Sequence, residues 1–158
     1  MNIRTATVDD APTLAGIINR AFIVEAFFKM GDRTSPEDVG ALMRAGGSFL
    51  IAEDDGRAIG CAFVKTKGAT GYFGMLSVDP GQQGIGLGRV LIDASEAYLR
   101  DRGCSHVEIE VVNLREELPP LYEKFGYRKT EERPFTSPER ASQPCYFIVM
   151  TKALVDPR

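Results

Sequence analysis

Residues 74–93 constrain this chain more than any other stretch, because they ask for a strand, a glycine turn and a helix in immediate succession. Met75, Leu76 and Val78 are apolar and suit a buried strand. Asp79, Pro80 and Gly81 stop it, since proline cannot donate to a ladder and fixes its own φ. Gly84, Gly86 and Gly88 then occupy every second position. Without a Cβ, such a turn can take unusual dihedrals and let a ligand lie against the main chain. From Leu87 the apolar residues switch to helical spacing, through Val90, Leu91, Ala94 and Tyr98. A helix therefore opens inside the turn. Its first N–H groups lack intrahelical partners and its dipole places partial positive charge there, which makes a seat for a phosphate or pyrophosphate. A nucleoside-triphosphate loop would need Gly-Lys-Ser/Thr, but Gly88 is followed by Arg89 and Val90. A dinucleotide fingerprint would need a third glycine where Arg89 or Leu91 stands.

The rest of the chain reads as a mixed α/β (α+β) sequence. Ile3 to Thr7 alternates as a strand, and Asp9, Asp10 and Pro12 open a helix that carries Leu14, Ile17, Ile18 and Phe22. Residues 23–35 are irregular. Ser35-Pro36-Glu37-Asp38 starts a second helix in capping-box style, and Gly46-Gly47 ends it. Two apolar runs, 48–53 and 58–65, flank the Asp55-Gly56 turn as a hairpin, and a further strand through Tyr72 and Val78 makes an antiparallel meander. The helix of the glycine turn closes near Arg102 and Gly103. Residues 105–112 then alternate Val107, Ile109 and Val111 against His106, Glu108 and Glu110, so a parallel crossover joins 72–78 to this strand. A short helix over Pro119/Pro120 to Phe125 is capped by Gly126. A strand from Tyr127 to Glu132, a loop over 134–144 and an apolar strand 145–151 complete the order. We expect one domain over residues 1–158, with no internal repeat, low-complexity tract or domain linker within it.

Bulk properties exclude several classes. A net charge of −3 is unlike a general nucleic-acid binder, so no nucleic acid partner is expected. No apolar run is long enough for a membrane helix, so no membrane partner is expected either. Three widely spaced cysteines and a single histidine, His106, leave no zinc-type cluster, and no metal is expected. They suit a reducing, cytoplasmic setting.

Gln83-Gly84-Ile85-Gly86-Leu87-Gly88, preceded by Val78-Asp79-Pro80, fits a Gln/Arg-x-x-Gly-x-Gly/Ala loop. Downstream, Leu121-Tyr-Glu-Lys-Phe-Gly-Tyr127 follows an asparagine, Asn113. Together these resemble the two signature segments of the GNAT superfamily of N-acetyltransferases, and the element order is similar to that fold. The resemblance implies a mixed central sheet: an antiparallel N-terminal meander plus a splayed parallel strand pair, flanked by helices. It implies acetyl-CoA as cosubstrate, with its pantetheine arm against Leu76, Ser77 and Val78. The amides of Gln83, Gly84, Ile85, Gly86, Leu87, Gly88 and Arg89 would take the pyrophosphate. It also implies that Asn113 lies near the pantetheine and Tyr122 near the thioester sulfur. Many members dimerise, so the resemblance admits a homodimer, on which the residues themselves carry no signal.

Acetyl transfer to an amine needs a neutral amine, a held acyl oxygen and a proton for the leaving thiolate. Glu108 and Glu110 are the base candidates, Tyr122 is the acid candidate, and Val78 N–H matches the family's oxyanion donor. Phe28 and Arg33 are the acceptor-side candidates, Arg33 as partner of a substrate carboxylate. Cys61 and Cys104 carry no mark of an activated nucleophile. The expected function is transfer of an acetyl group to the primary amine of a small molecule. A protein N-terminal or lysine acetyltransferase, and an acyl-CoA-binding module without turnover, stand as alternatives.

Overall fold

Alternating apolar residues in seven segments and a 3.6-residue apolar period in four others give the computed structural model its layers; it describes residues 1–154. The strands are β1 (Asn2–Thr5), β2 (Ser48–Asp54), β3 (Arg57–Lys67), β4 (Thr70–Val78), β5 (His106–Val112), β6 (Arg128–Pro134) and β7 (Tyr146–Ala153). The helices are α1 (Ala11–Ala21), α2 (Pro36–Arg44), α3 (Leu87–Asp101) and α4 (Leu118–Lys124). Pro12 and Pro36 each sit in a first turn, and Ser35 Oγ accepts from Asp38 N–H at 3.1 Å to cap α2.

The seven strands form one sheet in the order β1-β2-β3-β4-β5-β7-β6. The meander β2-β3-β4 is antiparallel, as its Asp55-Gly56 turn demands, and both residues of that turn take positive φ. β4 and β5 are parallel, joined by the α3 crossover. β7 inserts between β5 and β6, an arrangement that strand patterns alone do not dictate. β1 ends at Thr5, sooner than the expected Thr7, because Thr7 N–H donates to the Asp10 carboxylate at 2.7 Å and opens a 3-10 turn instead.

Alternation along the strands loads both faces of the sheet. Phe49, Ile51, Cys61 and Phe63 pack under α1 and α2 with Leu14, Ile17, Ile18 and Val39. Leu50, Val64, Phe73, Val107, Ile109 and Val111 pack under α3 and α4 with Ile92, Leu99 and Tyr122. Glu96 of α3, only 5% exposed, accepts from Tyr127 Oη at 2.7 Å and from Lys152 Nζ at 2.9 Å. This tie locks α3 to the α4–β6 turn and to β7, and so fixes the far side of the β4–β5 pair.

Candidate active site

β4 and β5 pair only from Thr70–His106 to Tyr72–Glu108. Beyond Tyr72 the strands part, although β4 runs on to Val78 and β5 to Val112. The β3–β4 register shifts between Cys61–Ser77 and Phe63–Gly74, so β4 carries the extra residue, and this bulge with Met75 at φ 49° bends β4 away from β5. Asp79 N–H donates to Ile59 O at 2.8 Å, so by ladder alternation Ser77 faces β3 while the amides of Leu76 and Val78 face the gap. An unpaired strand edge inside a sheet is a template for any ligand that carries amides.

At the C-terminal end of β4, Asp79 Oδ1 accepts from Gly81 N–H at 3.3 Å and Asp79 Oδ2 meets Arg20 and Arg57 at 3.5 and 3.8 Å. This anchors the turn. Gly84 and Gly86 take φ 88° and 80°, and a Cβ at Gly84, Gly86 or Gly88 would meet nothing within 4 Å. Gly86 is the N-cap of α3 and offers no side chain to its free amides, while Leu87, 2% exposed, roots the helix start in the core. An open rim of orphan N–H groups at the positive end of a 15-residue helix fits a pyrophosphate. Gln83 and Ile85 are exposed on this rim. Arg89 Nε pairs with Asp93 at 3.1 Å and its guanidinium lies over the Phe125 ring at 4.5 Å.

The gap opens into a cavity of about 400 Å³. Tyr72 and Glu110 line it from the α1/α2 face of the sheet. Leu76, Leu118, Leu121 and Tyr122 line it from the other side. The 22–33 segment and the 135–140 loop roof it with Phe22, Lys29, Arg33, Phe135 and Arg140. Tyr122 is 8% exposed among Phe73, Phe125 and Tyr127. Its hydroxyl bonds to no described residue, and burial pushes its pKa up to about 12. It therefore stays protonated near neutrality and can donate into the cavity.

The two glutamates separate. Glu108 is held bidentately by Arg133 at 2.9 and 3.0 Å and does not line the cavity, which corrects its reading as a base: both carboxylate oxygens are taken up by the guanidinium fork, away from the gap. Glu110 lines the cavity, with Arg133 only at 3.9 Å. Burial first, and Glu108 to a lesser degree, raise its pKa, while Arg133 pulls the other way. That is the direction a general base at neutral pH requires.

Three other sequence candidates change role. Phe28 is fully buried, edge-on to Phe27, and does not line the cavity; the irregular segment turns Phe28 inward and leaves Phe27 exposed. Asn113 Oδ1 accepts from Tyr146 N–H at 2.8 Å, and Asn113 N–H donates to Tyr146 O at 3.0 Å. It thus closes the β5–β7 ladder instead of lining the cavity, whereas Arg115 lines it while paired to the buried Glu25 at 2.9 Å. Ser77 is buried and donates to Met75 O, so its side chain stabilises the bulge and only its neighbours' backbone reaches the gap. Arg33 does line the cavity. Tyr72, Lys29 and Arg140 carry no local sequence signal of a site: Tyr72 alternates as one more strand residue, and the two cations sit in irregular segments. Burial pushes the Cys61 thiol up to about 12 and raises those of Cys104 and Cys145, the opposite of activation. Among the described residues no group of three or more His, Cys, Asp or Glu gathers as a metal site, and no helix is long and apolar enough to cross a membrane.

The fold is similar along its length to the ribosomal-protein-S18-alanine N-acetyltransferase of Escherichia coli (TM-score 0.78, 19% identity, 99% of this chain and 96% of that one). It is similar too to yncA of Salmonella typhimurium, a structure with its cofactor acetyl-CoA (TM-score 0.76, 22% identity, 100% and 96%). Mycothiol acetyltransferase of Beutenbergia cavernae is 40% identical over 81 residues, which cover 50% of this chain and 27% of the relative. The match therefore spans little more than a quarter of that relative's length. Residues 16–127, which contain the parted strands, the glycine rim and Tyr122, match the acetyltransferase (GNAT) family, and the chain belongs to that family.

Proposed function

We propose that this protein is an acetyl-CoA-dependent N-acetyltransferase that acetylates the primary amine of a small molecule. The observation that carries the reading is the parted β4–β5 edge, which runs from the orphan amides of α3 straight into the cavity that holds Tyr122 and Glu110. Acetyl-CoA would supply the activated acyl group. The amides of Leu76 and Val78 would pair with the pantetheine arm, the Gln83–Arg89 rim would hold the pyrophosphate, and Val78 N–H would donate to the acyl oxygen. Glu110 would take the proton of the attacking amine, directly or across a water. A C–N bond forms, the C–S bond breaks, and Tyr122 Oη donates toward the departing sulfur.

The small-molecule acceptor is supported by the roof of the cavity, where the 22–33 and 135–140 segments close over the site. The mycothiol acetyltransferase relatives, named for mycothiol and not for a protein, point the same way. A thiol-release assay with acetyl-CoA tests the reading against panels of small amines and of peptides. Turnover of small amines alone supports it. Turnover confined to peptides would transfer the reading to a protein acetyltransferase, and no turnover with tight CoA binding would leave a binding module.

A further inference from the structure

The charged groups that line the cavity are Glu25, Lys29, Arg33, Glu110, Arg115 and Arg140. Glu25 and Arg115 neutralise each other at 2.9 Å. Three further cations, Lys29, Arg33 and Arg140, line it, and none of the three forms an ion pair among the described residues. They do not wander. Lys29 bridges Ala141, Met30 N–H donates to Arg140 O at 2.8 Å, and Ser142 N–H donates to Phe28 O at 2.7 Å. Arg140 Nη2 in turn donates to the carbonyls of Met30 and Asp32. The two roof segments are thus stitched into one strap, and Lys29, Arg33 and Arg140 all line the cavity from it. The crowding registers on Lys29, whose pKa falls to about 8 through burial first and then Arg33, with Glu25 pulling the other way and Arg140 adding a smaller push. Like charges held together on a half-buried wall are unfavourable unless an anion joins them. That anion is not the cofactor's pyrophosphate, because none of residues 83–89 lines this cavity.

We infer that this wall seats an oxyanion of the acceptor itself: the amine that is acetylated also carries a carboxylate or phosphate group, held by Arg33, Arg140 and Lys29 while its nitrogen faces Glu110. The inference rests on the acetyl-transfer reading and narrows it to amino-acid-like or aminophosphate-like substrates. Guanidinium forks match such planar or tetrahedral oxyanions with paired N–H donors. Phe22, Leu118, Phe135 and Phe147 supply apolar walls for the body between the two polar ends.

The test is calorimetry on protein saturated with CoA. The titrants are N-acetyl amino acids, each paired with its C-terminal amide, across aliphatic, aromatic and acidic side chains, together with N-acetyl aminoalkyl phosphonates. At least one acid is expected to bind about tenfold or more tightly than its neutral partner, the scale of a charged hydrogen bond. In Arg33→Gln, which should keep the melting temperature and CoA affinity, that preference should vanish. A phosphonate that outbinds the carboxylates would identify a phosphate, and the reverse a carboxylate. No acid binding better than its amide, including a set in which nothing binds, overturns the inference. Failure to bind CoA in the first place would instead overturn the acetyl-transfer reading on which it stands.

Discussion

Replacing Tyr122 by Phe removes one hydroxyl and nothing else. The ring packs on Phe73, Phe125 and Tyr127 at centroid distances of 6.3, 6.5 and 5.6 Å, and the phenylalanine ring keeps those contacts. The hydroxyl bonds to no described residue, so its loss should shift stability by no more than about 0.5 kcal/mol. Its pKa of about 12 sets the scale of the catalytic effect. Full transfer of a proton to a thiolate of ordinary pKa, about 8.5, would run uphill by about 5 kcal/mol. Desolvation in the same gap raises the thiol as well, which narrows the difference without abolishing it. Tyr122 should therefore act by a strong hydrogen bond and late proton delivery, near the lower end of general acid catalysis. We expect kcat to fall about 10²-fold, or roughly 2.7 kcal/mol, with the Kd for CoA unchanged. Thiol-release kinetics and a thermal melt on the same sample measure both numbers. Wild-type kcat in a folded Tyr122→Phe variant would mean that the Tyr122 hydroxyl gives the departing thiolate no proton.

Gly86→Val should fold, since a Cβ there meets nothing, but φ 80° strains a β-branched residue by about 1–3 kcal/mol; a lower melting temperature and at least about tenfold weaker CoA binding are expected by calorimetry. Glu110 must be ionised to act, so kcat/KM should fall as the pH drops through its raised pKa, and Glu110→Gln should remove that limb along with most of the activity. Because the folded state favours the protonated form, Glu110's contribution to stability is present at low pH and lost as the pH rises through the raised value; Glu110→Gln should thus melt above wild type at pH 7. Arg115→Met leaves the buried Glu25 carboxylate unpaired and should destabilise the fold by about 3 kcal/mol in urea unfolding, with Glu25→Gln in the same chain restoring part of the loss.

What the sequence made legible was local. Gly84, Gly86 and Gly88 announce the rim because a turn and a helix start are decided by adjacent residues. The Asp-Gly hairpin and the Ser35 cap are legible for the same reason. Alternation placed Glu108 and Glu110 on one face, and both are there. What divides them is Arg133, 25 positions from Glu108 and brought in by β6 across β7, and no local pattern carries that. Lys29 and Arg140 are separated by more than a hundred residues and meet only because two irregular loops zip together. Phe28 and Phe27 are adjacent in a segment without periodicity, so sequence could not say which turns inward. The parting of β4 from β5 depends on a bulge at Met75, a non-glycine residue at positive φ that no turn motif signals.

The parted β4 edge and the glycine rim should act as one binding site for an acyl-CoA. Calorimetric titration with acetyl-CoA, CoA, ATP and NAD in parallel tests it most directly. Acetyl-CoA and CoA should bind while ATP and NAD do not. A folded protein that binds neither form of CoA, or that prefers ATP or NAD, would contradict it.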